Sequence, residues 1–162
     1  MLDARSTDEV ESLISTAGAG RSAHVFLGTA AGKGSSIEYT GSQMWRQDSE
    51  VEPLLHTNHF LNGGQAAAEL AEGFGTDNSA ARYERSVEIV EQHGVDSQDA
   101  IVAFLDDAEN SDFPICRPWA ESPTLPGVDS GTVCAITMRL ADSEMDVRLG
   151  PDPTGSWQTH AV

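Results

Sequence analysis

The stretch Cys134-Ala135-Ile136-Thr137-Met138-Arg139-Leu140-Ala141-Asp142-Ser143-Glu144-Met145-Asp146-Val147-Arg148-Leu149 decides the fold class. Cys134, Ile136, Met138 and Leu140 recur at every second position, and so do Met145, Val147 and Leu149 beyond an Ala141-Asp142-Ser143 turn. Alternation on both sides of a short polar turn reads as an antiparallel hairpin. Such a pair needs no helical crossover between its strands.

Working back from the hairpin, a loop containing Pro114, Pro118, Pro123 and Pro126 separates it from helical patterns. One helix is expected over 79–93, with Ala80, Tyr83, Val87 and Val90 as its apolar stripe, Asn78 as cap and Gly94 as stop. Another is expected from Ser97 to about 107, capped by Asp96, with Ile101, Phe104 and Leu105 facing inward. An Ala-rich segment over 65–72 predicts a short helix. Short β-like stretches precede these, over 23–27, 35–40, 43–46 and 54–56, with Gly32-Lys33-Gly34 as a turn between the first two. The opening helix starts near Thr7, where Ser6 and Glu9 stand at capping-box spacing. Val10, Leu13, Ile14 and Ala17 mark its face and Gly18 its end. Strand and helix blocks that stay segregated argue for an α+β layered domain rather than a βαβ parallel sheet. There is no internal repeat and no dividing linker, so residues 1–162 are expected to form a single domain.

Charge narrows the function classes. Against 26 acidic side chains stand 9 basic ones, for a net charge of −17, and Lys33 is the one lysine. A surface this acidic repels phosphate backbones and anionic lipid, so neither nucleic acid nor membrane is an expected partner. Trp45, Trp119, Trp157 and the many valines argue against a disordered acidic chain. A folded domain whose acidic surface suits a salt-rich cytosol is the expectation, since high ionic strength screens its self-repulsion. No apolar run approaches membrane-spanning length, and the opening residues lack a signal peptide's apolar stretch. Together with two cysteines outside any CxxC pair, these features predict a cytoplasmic location.

The densest polar cluster is His56-Thr57-Asn58-His59-Phe60-Leu61, following an apolar stretch over 51–55 that is expected to be a strand. Asn58 offers an amide donor of the kind an oxyanion hole requires. His56 and His59 are open to reading as ligands, bases or structural hydrogen-bonding groups. A zinc site fails on detail, because His-x-x-His lacks the glutamate and the i, i+4 spacing of a helical metal motif. No metal and no cofactor are therefore expected. Ser79-Ala80-Ala81-Arg82 opens the long helix and places Arg82 beside its apolar stripe. Cys116 has a cationic neighbour in Arg117 but no base nearby in sequence, and Cys134 lies in an apolar run, so neither reads as an activated nucleophile.

In consistent order, these fragments resemble the acyl-CoA:6-aminopenicillanate acyltransferase-like (peptidase C45) family of the Ntn-hydrolase superfamily. His56 to Leu61 matches its most recognisable motif. Ser79-x-x-Arg82-Tyr83 resembles its serine–arginine helix start, Ile115-Cys116-Arg117 its Ile-Cys-Arg loop, and Thr132 through Gly150-Pro151 its closing hairpin. Ser22-Ala23-His24 and Ile37-Glu38 also fall in place. The resemblance implies an αββα sandwich and an N-terminal cysteine nucleophile that attacks acyl amides, with its own α-amine as base. Carried onto this chain, it makes Asn58 the oxyanion donor and Arg82 the arginine near the nucleophile. It also gives His56, His59 and Ser79 supporting places. No cysteine precedes Cys116. The chain is thus expected to be a C-terminal half, inactive alone. Completed by an N-terminal half, it would act on a small acyl amide or acyl-CoA. Strand edges and an apolar sheet face left uncovered would favour a partner chain or self-association. The alternative expectation is a non-catalytic domain that keeps the scaffold and binds a ligand or partner.

Overall fold

The computed structural model describes residues 4–17, 22–41, 43–62, 76–122 and 126–162. The chain divides into two compact units, Met1–Leu54 with Phe60–Ala68, and Leu55–His59 with Glu69–Val162. The first holds α1 (Thr7–Ala17), β1 (Ala23–Gly28), β2 (Gly34–Tyr39) and β3 (Met44–Ser49). The second holds α2 (Thr76–His93), α3 (Gln98–Leu105), β4 (Ala120–Glu121), β5 (Asp129–Ser130), β6 (Cys134–Arg139), β7 (Glu144–Leu149) and β8 (Gln158–Ala161). The strands form three antiparallel sheets, β1-β2-β3, β4-β5 and β6-β7-β8, so the class is mixed α+β. Among the described residues, no helix is long and apolar enough to cross a membrane.

In the first unit, α1 begins as its sequence dictates. Ser6 Oγ accepts from the Glu9 amide at 3.2 Å, and the Glu9 carboxylate reaches back to the Arg5 amide at 2.8 Å. Val10 and Ile14 then bury against Ile37 at the centre of β2, each burial stabilising by about 1.5–3 kcal/mol. Leu13, expected on the same face, is exposed, because only the narrower i, i+4 pair meets the sheet. The Gly18 stop lies outside the described residues. Gly32, at φ 80°, supplies the turn between β1 and β2. On the other face of β2, the buried Glu38 carboxylate accepts from the amides of Leu61 and Asn62 at 2.6 and 2.8 Å, anchoring the chain just after the histidine motif. β3 runs on to Ser49, three residues past the expected end. The strands expected over 51–55 and 54–56 are not formed: Pro53 offers no N–H to a ladder and Val51 is exposed. The helix expected over 65–72 falls outside the described residues.

In the second unit, α2 starts at Thr76, so Asn78 sits inside the helix instead of capping it. The expected stripe of Ala80, Tyr83, Val87 and Val90 is half-buried, and the buried positions are Ser79, Ser86 and Ile89. Ser86 tolerates burial because its hydroxyl donates to the Arg82 carbonyl at 2.7 Å. Gly94, at φ 68°, closes the helix by donating to the Val90 carbonyl. Ser97, not Asp96, caps α3: its backbone is extended and its Oγ accepts from the Ala100 amide at 3.2 Å. Ile101, Phe104 and Leu105 are not buried, and α3 meets the last sheet through polar groups, Gln98 Nε2 donating to Asp146 Oδ2 at 3.0 Å.

The hairpin forms, with Ile136 opposite Val147 and Met138 opposite Met145; β6 ends at Arg139, so Leu140, expected in the strand, joins the turn, where Ser143 has φ 55°. β8 adds a third strand that Gln158–Ala161 does not announce, since it carries no apolar alternation. The sheet's burial is inverted relative to its apolar pattern. Ile136, Met138 and Leu149 are 45, 56 and 73% exposed, whereas Ala135, Thr137, Asp146 and Arg148 on the opposite face are buried. Arg148 is 0% exposed and forks onto both carboxylate oxygens of Asp106, stacking 4.9 Å from the Trp157 ring centroid. Its burial makes that ion pair a structural requirement. Asp106→Ala, which strands the guanidinium, should destabilise the chain by about 3 kcal/mol in urea unfolding. Asp106→Leu combined with Arg148→Met should recover most of the loss.

Candidate functional site

The chain over 57–59 is tied to the first turns of α2 by one hydroxyl. Ser79, 1% exposed, accepts from the Asn58 amide at 2.6 Å and contacts His59 Nδ1 at 2.8 Å. It donates to Thr57 Oγ1 at 3.0 Å, and Thr57 in turn donates to the Ser79 carbonyl at 2.9 Å. His59 Nδ1 also meets Thr57 Oγ1 at 3.1 Å, so the ring nitrogen sits between the two hydroxyls. The His59 ring also meets Tyr83 edge to face at 5.9 Å. Ser79 and His59 thus form a structural pair, with Ser79 buried and His59 half-buried. His56 joins none of these contacts with Ser79.

The same tie presents the Asn58 side chain at a cavity of about 330 Å³, lined among others by Asn78, Arg82, Ile115, Arg117 and Thr132. Arg82 Nη2 donates to Asn58 Oδ1 at 2.7 Å, and Arg82 Nε donates to Asn78 Oδ1 at 2.7 Å. A guanidinium only donates, so the atom facing it must be the amide oxygen, and the amide orientation of both asparagines follows. Asn58 Nδ2 is left as a donor without a partner among the described residues. Burial, followed by the nearby Arg117 charge, presses Arg82 below its usual value. It remains a cation at any ordinary pH. Asn58 and Arg82 are thus brought together, with Ser79 and His59 beneath them. Arg117, read in the sequence only as a neighbour of Cys116, lines the same cavity, and so does Asn78, read only as a cap. The Ile-Cys-Arg loop held the signal for Arg117, since Pro114 and Pro118 bracket it.

Cys116 points away from this chemistry. It is buried, its thiol donates to the Pro151 carbonyl at 3.3 Å, and burial, with the Asp106 charge second, pushes its pKa up. The Arg148 charge and a Thr132 hydrogen bond, which favour a thiolate, are outweighed. Among the described residues no group of three or more His, Cys, Asp or Glu side chains converges on a metal position.

Two outcomes follow from this geometry. Ser79→Ala removes the acceptor of the buried Asn58 amide contact and one partner of His59 Nδ1, and should cost about 1–3 kcal/mol in urea unfolding. The Cys116 thiol is held neutral in the fold and gains that advantage below its ordinary pKa, losing it as pH rises through the raised value. Its labelling by a small thiol reagent should therefore be slow in the native chain at neutral pH. The rate should climb only at more alkaline pH than for the same thiol in urea.

A family model described as acyl-coenzyme A:6-aminopenicillanic acid acyl-transferase matches residues 1–152. No curated protein and no solved structure gives a match. The match runs through both compact units and takes in Asn58, Ser79, Arg82 and Arg117. The chain belongs to the acyl-coenzyme A:6-aminopenicillanic acid acyl-transferase family.

Proposed function

We propose that this chain is the C-terminal portion of a cysteine-nucleophile (peptidase C45) Ntn amide hydrolase or acyltransferase, a partial domain over 1–162 that supplies the oxyanion donor and an active-site arginine. The observation that carries the reading is the contact of Arg82 with Asn58 Oδ1, which leaves Nδ2 of a polarised, cavity-lining amide as a donor. Such a donor stabilises the oxyanion formed when a nucleophile attacks an acyl carbonyl. Its orientation is set before substrate arrives, so no reorganisation is required as charge develops. Ser79 holds the Asn58 backbone and His59 holds Ser79, which gives them positioning roles; His56 belongs to the same loop.

The nucleophile in this reading comes from another segment. The chain has two cysteines, one buried with a raised pKa and one within β6. The outward apolar face of Ile136, Met138 and Leu149 supports a covering partner, whether the remaining half of a sandwich or a second copy. That face equally supports the second reading, a non-catalytic domain that binds a partner or ligand. The expected substrate is a small acyl amide or acyl-CoA, with no cofactor, in a salt-rich cytoplasm.

The chain alone should show no measurable hydrolysis of a panel of acyl anilides. Supplied with the segment encoded upstream of it, turnover should appear, and Asn58→Ala should lower kcat about 10²–10³-fold. Turnover by the chain alone that survives Cys116→Ser with Cys134→Ser would overturn the nucleophile assignment. A saturable partner complex without turnover would favour the binding domain.

A further inference from the structure

The placement of basic side chains in this acidic chain points to a second property of the cavity. Lys33, Arg46, Arg85, Arg139 and Arg148 each pair with at least one carboxylate. Arg85 alone engages Glu88, Asp107 and Glu109, and Arg139 engages Asp142, Glu144 and Asp146. With 26 acidic residues available, pairing is the default for a cation. Among the described residues Arg5, Arg82 and Arg117 are not paired with a carboxylate; the latter two line the same cavity, and the Arg117 charge acts on Arg82. Arg82 spends its Nε and one Nη on neutral amide oxygens.

Two like charges beside one small cavity repel each other, and an anion between them removes that cost. The surrounding groups suit the same occupant. Ser130 lines the cavity, and its buried Oγ has no hydrogen-bond partner among the described residues. Asn58 and Asn78 turn their carbonyls to Arg82, leaving NH₂ groups to serve as donors. Among the described residues no acidic side chain lines the cavity.

We propose that the cavity between Arg82 and Arg117 is a binding site for an oxyanion group, a carboxylate or a phosphate, with Arg117 as its main charged ligand. Guanidinium groups bind both of these through paired N–H donors. The site stands on the arginines alone. The further step, that the substrate carries such a group near its scissile amide, rests on the function proposed above.

The test uses the full 162-residue chain and simple probes, sodium acetate and inorganic phosphate, titrated against sodium chloride at matched ionic strength. At least one probe should raise Tm saturably, as a ligand that binds only the folded state must. Isothermal titration should give the same apparent Kd. Arg117→Gln should weaken binding about tenfold or more, and Arg117→Lys should retain part of it. Among the described residues the Arg117 side chain makes no hydrogen bond or ion pair that its loss would break, so the variant should fold like the parent; Lys33→Gln, which removes an exposed cation elsewhere, should bind like the parent. A carboxylate site answers to acetate and a phosphate site to phosphate. A response to acetate and phosphate that merely tracks chloride, or one unchanged in Arg117→Gln, would overturn the site. Because these readouts need no turnover, absent catalysis leaves the anion site intact, and absent anion binding leaves the oxyanion role of Asn58 intact.

Discussion

The candidate site depends on one buried hydroxyl. Ser79 accepts from the Asn58 amide, meets His59 Nδ1 and donates to Thr57, so three consecutive residues hang from one point near the start of a long helix. A loop of polar residues has many conformations, and ordering each residue's backbone costs about 1–2 kcal/mol. The cluster offsets that cost with short hydrogen bonds shielded from water, where such contacts are stronger. Asn58 is itself exposed, yet its backbone is held from below and its side chain from the flank. An exposed amide with two restraints is what a pre-set donor requires, and neither restraint uses the Nδ2 group that would do the chemistry.

Arginine suits the flank in a way lysine would not. Arg82 reaches two amide oxygens through two differently placed nitrogens, Nε to Asn78 and Nη2 to Asn58. An ammonium is one point charge on a flexible stem and fixes neither angle. Because the helix starts at Thr76, Asn78 and Arg82 lie one turn apart on the same helix, so the brace is local to α2. The first contact stiffens the guanidinium, and the second conveys that stiffness to Asn58.

How much of this was legible in the residues varies with the range of the interaction. The start of α1, the turn at Gly32, the Gly94 stop and the existence of the closing hairpin were readable, since each is set by neighbours within a few positions. The choice of Ser97 over Asp96 as cap was not, because both side chains are suitable and the chain's path decides between them. The strands expected over 51–56 failed on a local rule that was available, the missing N–H of Pro53. The site divides in the same way. Asn58, Ser79 and Arg82 stood out as a motif, but their convergence is a property of the fold. Arg117 was hidden because its meaning lies in what it does not pair with, and pairing is invisible until the carboxylates are placed.

The last sheet shows why periodicity identifies a strand without identifying its inner face. Cys134, Ile136 and Met138 alternate as a core-facing set would, and the register places them opposite Leu149, Val147 and Met145. The buried side is nevertheless the polar one, because Arg148 and Asp146 have partners there that solvent cannot replace cheaply: Asp106, Gln98, Thr159 and Arg139. Charge burial of this kind is tolerated only when each group is satisfied, and Arg148 Nε, without a hydrogen-bond partner among the described residues, shows how tightly the face is drawn. An apolar face of the same sheet gains nothing from water. The sheet thus spends polar contacts on its own helices and keeps its hydrophobic surface outward, an arrangement that becomes economical only when that surface is covered.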